Sequence, residues 1–238
     1  MSMLELRLVS KVYGEGAAEV HALREVSLDV AAGTMVAVMG PSGSGKSTLL
    51  SIAGSLEEPG SGQVLVAGQD LAAMSRNDKA RLRRRSVGYV FQDFNLLPGL
   101  TAVENVALPL ELDGVGARQA REAGLRVLDG LGLADRASSY PDQLSGGERQ
   151  RAAIARAVIG DRRLLLADEP SGALDSASAE AVMRMIHTAC QRGVAAVVVT
   201  HDPQLASWAD RVVSVRDGRI AGQTVPAPGP EPLLGRDR

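Results

Sequence analysis

Residues Gly40 to Thr48 read GPSGSGKST and fit the spacing G-x-x-x-x-G-K-[ST] of a loop that cradles phosphate. Glycines at 40, 43 and 45 let the backbone turn tightly and bring its N–H groups against phosphate oxygens. Lys46 adds a compact positive charge for β- and γ-phosphates, and the Ser47 hydroxyl suits Mg²⁺. Gly40, Pro41, Ser42, Gly43, Ser44, Gly45, Lys46, Ser47 and Thr48 are therefore the candidate nucleoside triphosphate contacts. A second group of chemistry-bearing residues lies in RRLLLADEP, where four apolar residues precede Asp168 and Glu169. Asp168 is suited to the Mg²⁺ shell, because hard cations take oxygen ligands. Glu169 is placed to orient and polarise a water for attack on a γ-phosphate.

These residues need a scaffold that delivers them to one place. The apolar run Met35 to Met39 predicts a buried strand ahead of the loop, and Lys46 to Gly54 a helix whose start adds free N–H donors. Strands are expected at Leu4 to Val9, Arg24 to Val30, Gly62 to Ala67, Val87 to Phe91, Leu164 to Ala167 and Ala195 to Thr200. Arg211 to Val215 and Arg219 to Thr224 flank Asp217-Gly218, a hairpin signal. Alternation of such strands with helices predicts an α/β fold on a largely parallel sheet. In that architecture a buried strand ending in Asp168 places its carboxylates at the sheet edge where ligands bind.

Between Asp93 and Ile159 the pattern turns helical: a capping box of Thr101 and Glu104, then helices over Ala117 to Leu131 and Glu148 to Ile159. This block should protrude as a subdomain. The prolines at 226, 228, 230 and 232 predict a disordered tail over 225–238. With 238 residues, 45% hydrophobic and 23% charged, the chain can bury one substantial core. A net charge of −2 gives no global pull toward nucleic acid, and none is expected as a partner. The basic run Lys79, Arg81, Arg83, Arg84 and Arg85 lacks an aromatic platform and reads as a solvated helix face. Cys190, the single cysteine, excludes an internal disulfide and reads as a small buried residue on a helix. No segment reaches the roughly 20 apolar residues needed to span a bilayer, so membrane work would need a spanning partner.

LSGGERQ at Leu144 to Gln150, upstream of LLLADEP, resembles the signature of the nucleotide-binding subunits of ATP-binding cassette (ABC) transporters. The resemblance covers roughly Leu4 to Thr224, with the motifs in family order. It implies a P-loop NTPase: a RecA-like core, an antiparallel β subdomain and an inserted α-helical subdomain near 93–159, in an ATPase domain over 1–224. It further implies that Tyr13 stacks on adenine, that Gln92 touches Mg²⁺ and the attacking water, and that His201 hydrogen-bonds the γ-phosphate. Ser145, Gly146, Gly147 and Glu148 would contact ATP held by a partner subunit, and Asp175 would couple the two sites. A helix start with two glycines is physically suited to an anion. His21 and His187 match nothing and read as surface or packing residues. Glu148 stands where Gln is commonest and Ala173 where close relatives often carry Asn; neither change removes a phosphate or metal contact.

More narrowly, Phe91 to Leu110 and Ala167 to Asp175 look like the lipoprotein-release, macrolide-export and cell-division branch. Phe94, Leu96 and Leu97 either dock a permease's cytoplasmic helix or form a small core cluster. The resemblance implies an ATPase using ATP and Mg²⁺, a homodimer, an integral membrane permease as partner, and a peripheral position on the cytoplasmic face of the membrane. The rivals are a soluble ABC ATPase of repair, translation or iron–sulfur assembly, and a regulatory ATPase. The spacing from Ser47 to Ser145 leaves no room for the coiled-coil insertion of repair members, and translation factors carry two cassettes.

Overall fold

Two sheets of different construction follow from two kinds of strand pattern. A computed structural model describes residues 2–172 and 174–226, apart from the side chain of Ala17. Ala173 and the expected tail beyond Pro226 lie outside the described residues. Long strands β1 (Ser2–Tyr13) and β2 (Val20–Ala31) alternate buried and exposed positions and pair antiparallel. With β4 (Ser61–Val66) and β5 (Gln69–Asp70) they make a four-stranded antiparallel sheet in the order β2-β1-β4-β5. The second sheet holds β3 (Met35–Met39), β6 (Val87–Val90), β7 (Leu164–Asp168), β8 (Ala195–Val199), β9 (Arg211–Arg216) and β10 (Arg219–Thr224). Its order is β10-β9-β3-β8-β7-β6, parallel throughout except for the β9–β10 hairpin. That hairpin turns on Asp217 and Gly218, whose φ values of 50° and 75° are those the Asp-Gly signal predicts.

The parallel strands read as continuous apolar runs because both faces are covered. Val36, Val38, Leu164, Leu166, Val197 and Val199 face the antiparallel sheet and helix α1 (Lys46–Ala53). Met35, Ala37, Leu165, Ala167, Ala196 and Val198 face the other way, against helix α6 (Ser176–Gln191) and short α7 (Pro203–Ala206). Cys190 on α6 is 2% exposed, and burial pushes its thiol up to about 12. It is the buried packing residue that the sequence predicts.

A third core closes the helical subdomain, built by α3 (Ala102–Leu112), α4 (Ala117–Asp129) and α5 (Gly146–Val158). The Thr101–Glu104 capping box opens α3 as expected, with Thr101 N donating to Glu104 Oε2 at 2.8 Å. Helix α4 stops two residues before the expected Leu131, and the long strands of the first sheet extend beyond their expected ends. The alanines of α5 let it pack tightly on two sides. Ile154 and Ala157 belong to the sheet core, while Ala152, Ala155 and Ile159 belong to the subdomain core.

The basic run lies on α2 (Arg76–Ser86), but it is not simply a solvated face. Lys79 pairs with Glu58 at 2.7 Å, Arg83 donates to the Ser55 carbonyl at 2.7 Å, and Arg84 and Arg85 share Asp113. These cations stitch α2 to its neighbours, a use that composition cannot reveal.

Asn105 is fully buried and organises the segment leading into α3. Its Nδ2 donates to the carbonyls of Leu97, Leu100 and Thr101 at 3.0, 2.9 and 3.1 Å, and its Oδ1 accepts from Leu97 N at 2.7 Å. Asn105→Ala strands several of these buried groups, so we predict a loss of about 3 kcal/mol in urea unfolding. A loss below about 0.5 kcal/mol would show that the side chain does not hold this segment.

Candidate active site

The parallel strands deliver the sequence's chemical residues to one edge of the sheet. Strand β3 runs directly into the Gly40–Thr48 loop, β6 leads to Gln92, β7 ends at Asp168 and β8 leads to His201. A cleft of about 790 Å³ opens there, and its lining includes Gly40, Lys46, Ser47, Gln92, Asp168, Glu169 and His201.

The loop is held close against its neighbours. A Cβ on Gly40 would lie 2.1 Å from the Val215 carbonyl oxygen, and one on Gly45 would lie 2.2 Å from that of Ala22. Both backbones also have positive φ, 153° and 102°. Only glycine meets both requirements. A strap completes the fit: Gly218 N donates to the Ser44 carbonyl at 3.1 Å, and Arg24 N donates to the Gly218 carbonyl at 2.8 Å. The antiparallel sheet and the β9–β10 hairpin thus brace the loop from the side.

Lys46 Nζ donates to the Gly40 and Pro41 carbonyls at 2.9 and 2.8 Å. The ammonium is therefore stationed over its own loop, beside the N–H groups that open α1. Ser44 Oγ is buried and has no partner among the described residues, an unmet polar group inside the cradle. Such a concave, positively charged array of backbone donors is suited to a polyphosphate.

Asp168 is 8% exposed at the end of β7. Glu169 follows with φ of 48°, a left-handed conformation costing about 1–2 kcal/mol for a residue with a side chain. The turn is pinned by Glu169 N donating to the Val199 carbonyl at 3.0 Å. It places Glu169 Oε2 3.0 Å from His201 Nδ1, so a carboxylate and an imidazole face each other in the cleft. Ser47, Asp168 and Gln92 supply hydroxyl, carboxylate and amide oxygens. Among the described residues no cluster of three His, Cys, Asp or Glu could hold a metal alone. A donor set with one carboxylate fits Mg²⁺, which keeps water and substrate phosphate in its shell.

Tyr13 also lines the cleft, 38% exposed at the end of β1. Its hydroxyl donates to Glu57 Oε2, and the Lys11 ammonium sits 5.3 Å from its ring centroid. Burial, then the Glu57 carboxylate, raises its hydroxyl above the ordinary tyrosine value. Gln150 was not among the expected contacts, although it ends the LSGGERQ run. It lines the cleft at 1% exposure, with Nε2 unpartnered among the described residues. Its burial could be suspected only from its place one helical turn beyond Gly146 and Gly147.

Ser145 to Glu148 and Asp175 do not line this cleft. Ser145 caps α5 in a closed capping box: its Oγ accepts from Glu148 N at 3.2 Å, and Ser145 N donates to Glu148 Oε2 at 2.7 Å. Asp175 caps α6, accepting from Ser178 N at 2.9 Å and from Ser178 Oγ at 3.0 Å. The Ser178 N–H, then its hydroxyl, hold the Asp175 carboxyl below the usual carboxylate range. After Gln92, the apolar trio does not form a single core cluster. Leu96 packs on the subdomain core, whereas Leu97 is 45% exposed. Phe94 lies 5.8 Å from the Arg149 guanidinium, and Arg156 from α5 donates to the carbonyls of Phe94 and Asn95.

Comparison with known proteins agrees with this geometry. The family model described as ABC transporter matches residues 23–172. The chain is 47% identical over 218 residues to the macrolide export ATP-binding/permease protein MacB of Escherichia coli strain K12, and 44% identical over 222 residues to that of Marinobacter nauticus. Those alignments cover 92% and 93% of this chain but 34% of each relative, so the chain spans about a third of their length. A solved dimeric ATP-binding cassette, MJ0796 bound to ADP and Pi, matches with a TM-score of 0.90 at 38% identity, covering 94% of this chain and 98% of that one. The family match spans more than half of the sequence on a fold this similar, and the chain therefore belongs to the ABC transporter family as an ATP-binding domain.

Proposed function

We propose that the chain hydrolyses ATP to energise a membrane permease, working as a head-to-tail homodimer that encloses two ATP molecules. The carrying observation is a separation. The phosphate loop, Gln92, Asp168, Glu169 and His201 share one cleft, while Ser145 to Glu148 sit on a helix start outside it. A second copy turned head to tail would bring that helix start to the open side of the cleft. The dimeric form of the similar cassette MJ0796 supports this assembly. The relatives are named ATP-binding/permease proteins for macrolide export, which supports a permease partner and export or extraction at the cytoplasmic face of the membrane. No helix among the described residues is long and apolar enough to cross a membrane.

In this reading Tyr13 offers a π face to adenine. The loop N–H groups and Lys46 hold the phosphates, with Lys46 exchanging its loop carbonyls for phosphate oxygens. Ser47, Asp168 and Gln92 would hold Mg²⁺, which supplies positive charge to the β- and γ-oxygens. Glu169 accepts a proton from a water as its oxygen bonds to the γ-phosphorus and the bond to the β-bridging oxygen breaks, releasing ADP. His201, beside Glu169, donates to a γ-phosphate oxygen. Gly146 and Gly147 supply N–H donors to the partner's γ-phosphate from the helix start that Ser145 caps, Glu148 completes that signature, and Asp175 lies in the loop joining the two sites. Closure on ATP and reopening after hydrolysis would pull on the permease.

Glu169→Gln should keep ATP binding and lower turnover by about 10²- to 10³-fold, the scale of a lost general base. ATP-bound dimers should then accumulate on gel filtration, and unchanged steady-state hydrolysis would contradict the role of Glu169. Ser145→Arg should leave ATP binding by the monomer intact while abolishing ATP-driven dimerisation, because a bulky cation occupies the anion's place. Titration calorimetry showing lost ATP affinity in that monomer would mean that Ser145 serves its own site.

A further inference from the structure

Glu148 presents an electrostatic problem at the signature helix. Its carboxylate is the third residue of α5, at the N-terminus proposed to receive the partner's γ-phosphate. The Ser145 N–H, then the Ser145 hydroxyl, hold it below the usual carboxylate range, with Arg136 adding to the effect. A carboxylate there stabilises the empty helix end through the capping box and the dipole. It also repels a second anion arriving at the same end.

One of its oxygens, Oε2, is engaged with Ser145 N at 2.7 Å. The other, Oε1, accepts from Arg136 Nε at 3.1 Å. Arg136 comes from the short turn Ala134–Arg136 after α4, twelve residues upstream, and its side chain is 55% exposed. The nearby cation Arg149 does not share this duty. It donates to the Pro141 and Leu144 carbonyls at 3.3 and 2.9 Å and lies 5.8 Å from the Phe94 ring. Arg136 is therefore the cation that Glu148 faces.

We propose that Arg136 is a positioning residue for the shared ATP site, cancelling and holding aside the Glu148 charge so that the α5 N-terminus can accept the partner's γ-phosphate. The inference rests on the head-to-tail reading above. Arg136 lies outside the cleft lining and outside the signature, and its bond to Glu148 lets a carboxylate stand beside an incoming anion.

The test is a double-mutant cycle in the full-length chain carrying Glu169→Gln, with MgATP-dependent dimerisation followed by sedimentation velocity. Arg136→Gln should weaken the dimer about tenfold, since two symmetric sites each lose about threefold, the scale of an exposed ion pair. Calorimetric ATP affinity of the monomer should not change. Adding Glu148→Gln should cut the penalty of Arg136→Gln to twofold or less, because glutamine keeps the capping box and carries no charge. The penalty seen with Glu148 present should also shrink when NaCl is raised from about 50 to about 500 mM. Equal penalties with and without Glu148→Gln would make Arg136 a mere strap and overturn the proposal, as would no penalty at all. Failure of the underlying reading has a different signature: a Ser145→Arg chain that dimerises normally on ATP.

Discussion

A polyanion can be gripped by backbone N–H groups only if nothing stands between them and the phosphates, and that steric requirement governs this fold. At Gly40 and Gly45 the loop runs so close to the Val215 and Ala22 carbonyls that no side chain could fit. The loop is not a free strand of glycines. It is wedged between β2 and the β9–β10 hairpin, and tied to both through Gly218. The antiparallel sheet, which contributes little chemistry beyond Tyr13, thereby fixes the conformation on which nucleotide binding depends. The parallel sheet supplies the second half of the requirement, bringing Asp168, Glu169, Gln92 and His201 to the same edge.

Helix α5 is the mechanical link between that edge and the rest of the molecule. It is packed into two cores at once, through Ile154 and Ala157 on one side and Ala152 and Ala155 on the other. Arg156 from this helix holds the carbonyls of Phe94 and Asn95, two residues with positive φ just after Gln92. Gln150, from the same helix, reaches the cleft lining. In the proposed cycle, Arg156 would couple movement of the Gln92 segment to movement of the signature helix. The strained φ of Glu169 belongs to the same economy of placement, since it turns a strand-end carboxylate back toward His201.

Much of this was legible in the sequence because the informative signals are local. The phosphate loop, the Thr101–Glu104 capping box and the Asp217-Gly218 turn each depend on a few adjacent residues, and each forms as those residues dictate. Apolar runs such as Leu164 to Ala167 marked the buried parallel strands for the same reason. What escaped depends on partners distant in sequence. Nothing around Asn105 announces that it will bind three carbonyls, and Arg84 and Arg85 look solvated until Asp113 is brought beside them. Gln150 and Arg136 escaped likewise, the first because burial is a tertiary property and the second because its partner lies a turn and a loop away.

The central claim is that each ATP site is built from two copies of the chain, and mixing two inactive variants tests it most directly. Lys46→Ala spoils the phosphate loop but leaves the signature helix whole, while Ser145→Arg does the reverse. Neither should hydrolyse ATP alone. Neither variant should pair with itself around ATP, whereas a heterodimer contains one site of two with both halves intact, so an equimolar mixture should recover turnover up to about half of the wild-type value. Heterodimers that form, as seen by native mass spectrometry, yet show no turnover beyond that of the separate variants would contradict the shared-site account.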